Sequence, residues 1–262
     1  MRHRRSAVVI AIAVAVAASL GWPAMGLAQS ARDHLPGIVG RDDRVPLDPT
    51  SWPWHALGRV NQGTGAHCTG ALIAPDAVLT AAHCLFHART GRPLQAHELH
   101  FVAGYRRGEY AAHARGRAIR MPPAYRYRKQ ATLAEVAEDW AIVYLERRLA
   151  IRPIPVRALP SDGALPDGRL QRAGYSQDRA HLLSIHDGCR LRGLLAEGRV
   201  LLSDCDGTMG DSDSPLLLRQ GEQVWLIGVA SAMMQGPQEG GLAVHAAAFI
   251  DSLPPQKAER TP

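Results

Sequence analysis

Apolar and polar positions change places at short intervals along this chain. A polar, turn-rich opening runs from Gln29 to Asp48, and His55 to Val60 then alternates as a half-buried strand does. Cys68 to Ile73 predicts a strand, Ala74-Pro75-Asp76 a turn, and Ala77 to Thr80 a second strand that ends at Ala81-Ala82-His83-Cys84. Leu85 to Ala131 breaks into short segments separated by Gly, Pro and Arg, and the helical character of Thr132 to Glu138 is brief. Asp139 then opens the run Trp140-Ala141-Ile142-Val143-Tyr144-Leu145, which lacks alternation because such a strand is covered on both faces.

Pro153, Pro155, Pro160 and Pro166, with Gly163 and Gly168, mark a crossover over residues 151–168. Strand patterns resume at Gln171 to Tyr175, Leu191 to Leu195 and Arg199 to Ser203. Two more, Pro215 to Leu218 and Gln223 to Ser231, flank the turn Arg219-Gln220-Gly221-Glu222. Leu242 to Leu253 predicts a closing helix stopped by Pro254-Pro255. Many short strands, few helices and no fixed repeat predict an all-β chain of barrels or sandwiches.

The first 28 residues stand apart. Arg2, Arg4 and Arg5 precede an apolar run from Ala7 to Leu20, and Gly26-Leu27-Ala28 supplies small residues for cleavage. A signal peptide over 1–28 is expected, the run being short for a bilayer span of ~20 residues. An uncleaved anchor is the other reading. Removing residues 1–28 takes away three arginines and no acids, so the net charge falls from +6 to +3. That balance and the lack of a basic stripe argue against a nucleic-acid partner. Arg126, Arg128 and Lys129, interleaved with Tyr125 and Tyr127, read as a solvated loop.

Four cysteines in an exported chain predict two local disulfides, Cys68–Cys84 and Cys189–Cys205, although three pairings are formally open. There is no C-x-x-C pair, and His97 and His100 read as surface histidines, so no metal is expected.

Candidate chemistry centres on Gly210-Asp211-Ser212-Asp213-Ser214-Pro215. A serine hydroxyl becomes a nucleophile only when a base takes its proton and donors receive the oxyanion. The base needs a carboxylate to orient it. His83, Asp139 and Ser212 supply these types, in that chain order.

Thr80-Ala81-Ala82-His83-Cys84, Asp139-Trp140-Ala141, Gly210-Asp211-Ser212 and Gly228-Val229-Ala230-Ser231 together resemble the chymotrypsin-like serine proteases, over roughly residues 38–253. Gly40-Arg41-Asp42-Asp43-Arg44 and Ser203-Asp204-Cys205-Asp206 are similar to the secreted bacterial branch. The resemblance implies two six-stranded antiparallel barrels with a short C-terminal helix. Residues 29–150 would carry His83 and Asp139; residues 169–262 would carry Ser212 and the specificity pocket. It implies His83 as general base, Asp139 as its orienting carboxylate, Ser212 as nucleophile, and the N–H groups of Gly210 and Ser212 as oxyanion hole. Ser231 would border bound substrate. Asp206 would stand at the pocket base and select Lys or Arg, with Gly241 on the wall and Met233 near the mouth; Asp206 as a loop hydrogen-bonder stays open. Asp211 would be a buried acid in need of a partner. In the pancreatic branch that partner is a new N-terminus, but here Ile38-Val39 follows Pro36-Gly37 and not a basic residue.

The implied protein is a periplasmic or secreted, trypsin-like serine endopeptidase. It would be a monomer acting on polypeptides, with no cofactor and no membrane association after leader removal. Asp213-Ser214 departs from the family pattern, Gly-Gly or Gly-Ser before the proline. A positive φ at Asp213 would cost about 1 kcal/mol. Its carboxylate would either raise the pKa of His83 or oppose the oxyanion, by roughly 3 kcal/mol at ~6 Å and an effective dielectric near 20. A catalytically impaired homologue that binds polypeptides in the same cleft is therefore the alternative.

Overall fold

The computed structural model describes residues 35–254 except 129, 163, 165, 166, 209, 210, 212, 237 and 238. The leader expected over 1–28 lies outside the described residues.

Six strands close into an antiparallel barrel: β2 (Leu57–Gln62), β3 (His67–Ala74), β4 (Ala77–Thr80), β5 (Leu99–Ala103), β6 (Ala112–Arg120) and β7 (Ala141–Leu145), in the order β2-β3-β4-β7-β6-β5. Closure leaves no free edge, and β4 with most of β3 and β7 is covered on both faces, which is why these strands show no alternation. Between β6 and β7, α1 (Leu133–Val136) is held by a reciprocal cap: the Thr132 hydroxyl accepts from the Glu135 amide, and the Glu135 carboxylate accepts from the Thr132 amide.

The second half is one eight-stranded antiparallel sheet. It contains β1 (Val45–Pro46), β8 (Arg169–Gly174), β9 (Ser184–Cys189), β10 (Leu191–Leu195), β11 (Val200–Ser203), β12 (Pro215–Gln220), β13 (Gln223–Met234) and β14 (Gly240–His245). The order is β1-β9-β8-β12-β13-β14-β11-β10, so six inner strands correspond to the predicted second barrel, with β1 and β10 at the ends.

The predicted closing helix is corrected. Gly240–His245 is β14, paired with β11 and β13, and among the described residues only two 3-10 turns follow, Ala246–Ala248 and Ile250–Ser252. Every residue of β14 is buried, so its sequence carries no period of two and mimics a buried helix.

One apolar core runs through both halves, from Leu57, Leu72 and Ile142 of the barrel to Leu217 and Val229 of the sheet and Phe249 beyond its last strand. Tyr175, fully buried just after β8, fastens the halves: its amide donates to Thr69 Oγ1 (2.9 Å) and its hydroxyl to the Tyr105 carbonyl (2.8 Å). Both expected disulfides form. Cys68–Cys84 ties β3 to the turn after β4, and Cys189–Cys205 ties β9 to the segment after β11.

Cys189–Cys205 closes a loop with a sequence separation of 16. Replacing both cysteines with alanine lowers stability by about 3 kcal/mol, seen as a lower midpoint in equilibrium urea unfolding. An unchanged midpoint would mean that the strand ladder alone holds this corner.

Candidate active site

His83 sits in the short 3-10 turn Ala82–Leu85 that follows β4, and Asp139 in the loop before β7. The pairing of β4 with β7, Thr80 opposite Ala141, brings these two strand ends together. His83 Nδ1 lies 2.7 Å from Asp139 Oδ2, and the His83 amide donates to Oδ1 (2.8 Å). The Ser231 hydroxyl, on β13 of the other half, donates to Oδ2 at 2.5 Å. Three donors thus converge on a carboxylate that is only 6% exposed. Burial raises its pKa, but the His83 charge and these hydrogen bonds outweigh it and hold Asp139 below its ordinary value. With Nδ1–H donating to Asp139, His83 presents the lone pair of Nε2 to the cleft.

Ser212 and Gly210 lie outside the described residues, but Asp211 and Asp213 on either side of Ser212 are placed. Asp213 has φ +82, a region that favours glycine, as its position in the family pattern demands. Its carboxylate is fully buried. Oδ1 accepts from the Ala81 amide (3.0 Å) and stands 3.8 Å from His83 Nε2. Oδ2 lies against the sulfur of Cys84, which is bonded to Cys68 and has no proton to give. His83 therefore has a carboxylate at each nitrogen. Burial opposes its charge, but Asp139 and Asp213 prevail and raise its pKa to about 9. Burial pushes Asp213 up to about 7, against the pull of the His83 charge.

Asp211 finds its partner in Arg44. Arg44 Nη1 donates to Asp211 Oδ2 (3.1 Å), which also accepts from the Thr208 amide (3.0 Å). The same guanidinium forks onto Asp42 through Nε (2.9 Å) and Nη2 (3.1 Å) and reaches Asp178 (3.1 Å). Arg179 donates to Asp42 at 2.7 Å. Burial pushes the pKa of Arg44 down, but Asp42, Asp211 and Asp178 more than restore it, so it is raised. Asp211 thus has its ionic partner in Arg44. The sequence alone presents Arg44 only as part of a family-like motif; its role needs the 167-residue separation closed.

The predicted pocket residues divide. Gly241 and Met233 are paired across β14 and β13. Of the two readings left open for Asp206, the hydrogen bonds agree with the loop hydrogen-bonder: Oδ1 accepts from the Val39 amide and Oδ2 from the Asp43 amide, both at 2.9 Å. The charged group beside the glycines is Arg172 of β8, which the sequence did not single out. The Arg172 guanidinium occupies the space beside both glycines: a Cβ at Gly207 would stand 2.1 Å from Arg172 Cζ and displace that group, and one at Gly241 would stand 3.3 Å from Arg172 Nη1. Arg172 Nη2 donates to the Asp211 carbonyl (3.1 Å), while its buried Nε has no partner among the described residues. Beside His83 a cleft of about 330 Å³ is bordered by Tyr125, Arg126, Arg128, Glu135 and Ser231. Arg128 there pairs with Glu135 at 2.8 Å, and Lys129 lies outside the described residues.

The trypsin family's sequence profile, described as Trypsin, matches residues 42–184, more than half of the chain. The chain belongs to the trypsin family. Chymotrypsin-C of Bos taurus is 41% identical over 81 residues, 30% of this chain and 27% of that protein. Glutamyl endopeptidase of Bacillus licheniformis is 33% identical over 58 residues, 22% of this chain and 18% of its own length. The matched stretches thus cover less than a third of these trypsin-family relatives. A solved structure of a Glu endopeptidase in complex with MPD shares the fold at a TM-score of 0.66 and 20% identity, covering 82% of this chain and 96% of that one.

Arg44 is the cation on which Asp42, Asp178 and Asp211 converge. Arg44→Met leaves buried carboxylates uncompensated and costs about 3–5 kcal/mol of stability in urea unfolding at pH 7. Arg44→Lys recovers only part of it, because an ammonium cannot fork onto several carboxylates.

Proposed function

We propose that this trypsin-family chain is a serine endopeptidase that opens peptide bonds through an acyl-enzyme on Ser212. The observation that carries this reading is the 2.7 Å bond between His83 and a buried Asp139 that Ser231 also holds. Nε2 of His83 takes the proton of Ser212 Oγ as that oxygen attacks the substrate carbonyl. The amide groups of Gly210 and Ser212 receive the oxyanion. Collapse of the tetrahedral adduct breaks the C–N bond, and His83 returns its proton to the departing amine. Water, deprotonated by the same nitrogen, then releases the acyl group and restores Ser212. The substrate is polypeptide, no cofactor enters, and the domain halves 29–150 and 169–262 each bring part of the machinery. Two disulfides, and the leader expected from the sequence of residues 1–28, support export to the periplasm or beyond. Among the described residues no helix is long and apolar enough to cross a membrane.

Trypsin-like preference for Lys or Arg finds no support in Asp206, whose oxygens accept Val39 and Asp43 amides. Arg172, a permanent cation against Gly207 and Gly241, favours an acidic side chain at the residue before the cleaved bond. The names glutamyl endopeptidase and Glu endopeptidase among the similar proteins agree with that preference.

A fluorophosphonate probe applied between pH 7 and 10 labels the wild type and not Ser212→Ala, and His83→Ala lowers kcat/KM by about 10⁴ or more. A correctly folded protein that takes no label at any pH is a polypeptide-binding relative instead. In a peptide-library digest, cleavage follows Glu or Asp; cleavage after Lys and Arg would reject the role given to Arg172.

A further inference from the structure

We propose that Asp213 is a positioning residue that clamps the His83 imidazolium from its Nε2 side and so restrains the base until the solution is alkaline. This rests on the endopeptidase reading and adds to it a residue that the family pattern fills with glycine.

The geometry carries the proposal. Asp213 has no exposed surface, its backbone is fixed at φ +82, and Oδ1 is anchored by the Ala81 amide. From that anchor the same oxygen stands 3.8 Å from Nε2, the atom that must accept the serine proton. Asp139 holds Nδ1 at 2.7 Å on the other side. An imidazolium between two carboxylates is stabilised from both ends, and a protonated ring has no lone pair to offer.

Other groups also face the pair. Ser231 donates to Asp139, burial and the charges of Asp139 and Asp213 raise the pKa of Tyr125, and Arg172 favours the ionised form of Asp213 while Asp139 opposes it. Burial raises Asp213 to about 7, while its charge helps Asp139 raise His83 to about 9. Between those values the pair carries one proton, held on His83 opposite an ionised Asp213. Above about 9 the ring is neutral and Nε2 is free to act as base.

Asp213→Gly and Asp213→Asn separate the effects. Glycine accepts φ +82 without strain, and asparagine keeps an oxygen for the Ala81 amide while losing the charge. In both variants the acid limb of the kcat/KM–pH profile moves to lower pH by about one to three units, and activity at pH 7 rises about tenfold for a one-unit shift, levelling off near a hundredfold once the ring is neutral at that pH. A histidine titration of the full chain followed by NMR reads the same shift directly at His83, whether or not the protein cleaves anything. Faster cleavage at every pH with an unmoved limb would mean that Asp213 only opposes the oxyanion, and would overturn the proposal. So would a His83 that titrates at the same pH in wild type and Asp213→Asn. If no variant takes the fluorophosphonate label but His83 still shifts, the endopeptidase reading falls and the clamp stands.

Discussion

Asp139 is a carboxylate held where barrel and sheet meet, and water cannot answer its charge there. A bare ion in that place would cost several kcal/mol, so it persists only with donors on each oxygen. The donors come from both halves: the His83 amide and ring from the barrel, the Ser231 hydroxyl from the sheet. Setting the imidazole therefore requires the halves to dock in one register. The continuous apolar core and the Tyr175 bonds to Thr69 and Tyr105 supply that docking. Packing and chemistry share a single constraint: slide one half against the other and Asp139 loses Ser231.

The same logic governs the loop before Ser212. Asp211 is 3% exposed, and burial raises its pKa against the pull of Arg172 and Arg44. Arg44 is fully committed in return, to Asp42, Asp178, Ser176 and Asp211 at once. A planar guanidinium suits that task because its donors are fixed in a fork and it keeps its charge when buried. Asp206, one turn earlier, pins Val39 and Asp43 by their amides, so the opening segment is bound to the loop it supports. The N-terminal stretch acts here through the Arg44 side chain and the Val39 and Asp43 amides.

What the sequence made legible follows from range. β4 and β10 have the predicted bounds, and β3, β11 and β12 are within two residues, because turns and apolar runs are local signals. His83 and Asp139 were legible because each lies beside such a strand. β1, β5, β6 and β9 were missed. Arg120, Arg115 and Arg117 break the apolar pattern of β6, whose outer face is exposed along the strand. β14 misled in the opposite way, since burial on both faces erases alternation. Arg44, Arg172 and Ser231 matter through contacts across 39 to 167 positions, which no local pattern carries. Asp206 shows the cost of counting from a motif: its position was anticipated, but its lone pairs belong to Val39 and Asp43.

Asp213 violates two local rules together, an aspartate at positive φ and a carboxylate with one conventional donor. The backbone strain is about 1 kcal/mol. At 3.8 Å from a charged His83 and an effective dielectric near 20, the attraction is about 4 kcal/mol, enough to offset the strain and part of the desolvation. That balance holds only while His83 carries its proton. Once the ring is neutral, the attraction vanishes while strain and burial remain, so the site itself resists the deprotonation that catalysis needs. Sequences that keep glycine here avoid both the strain and the resistance. A chain that keeps aspartate holds its imidazole in a stabilised protonated state, and the proposed clamp ties the base to the proton concentration around the protein.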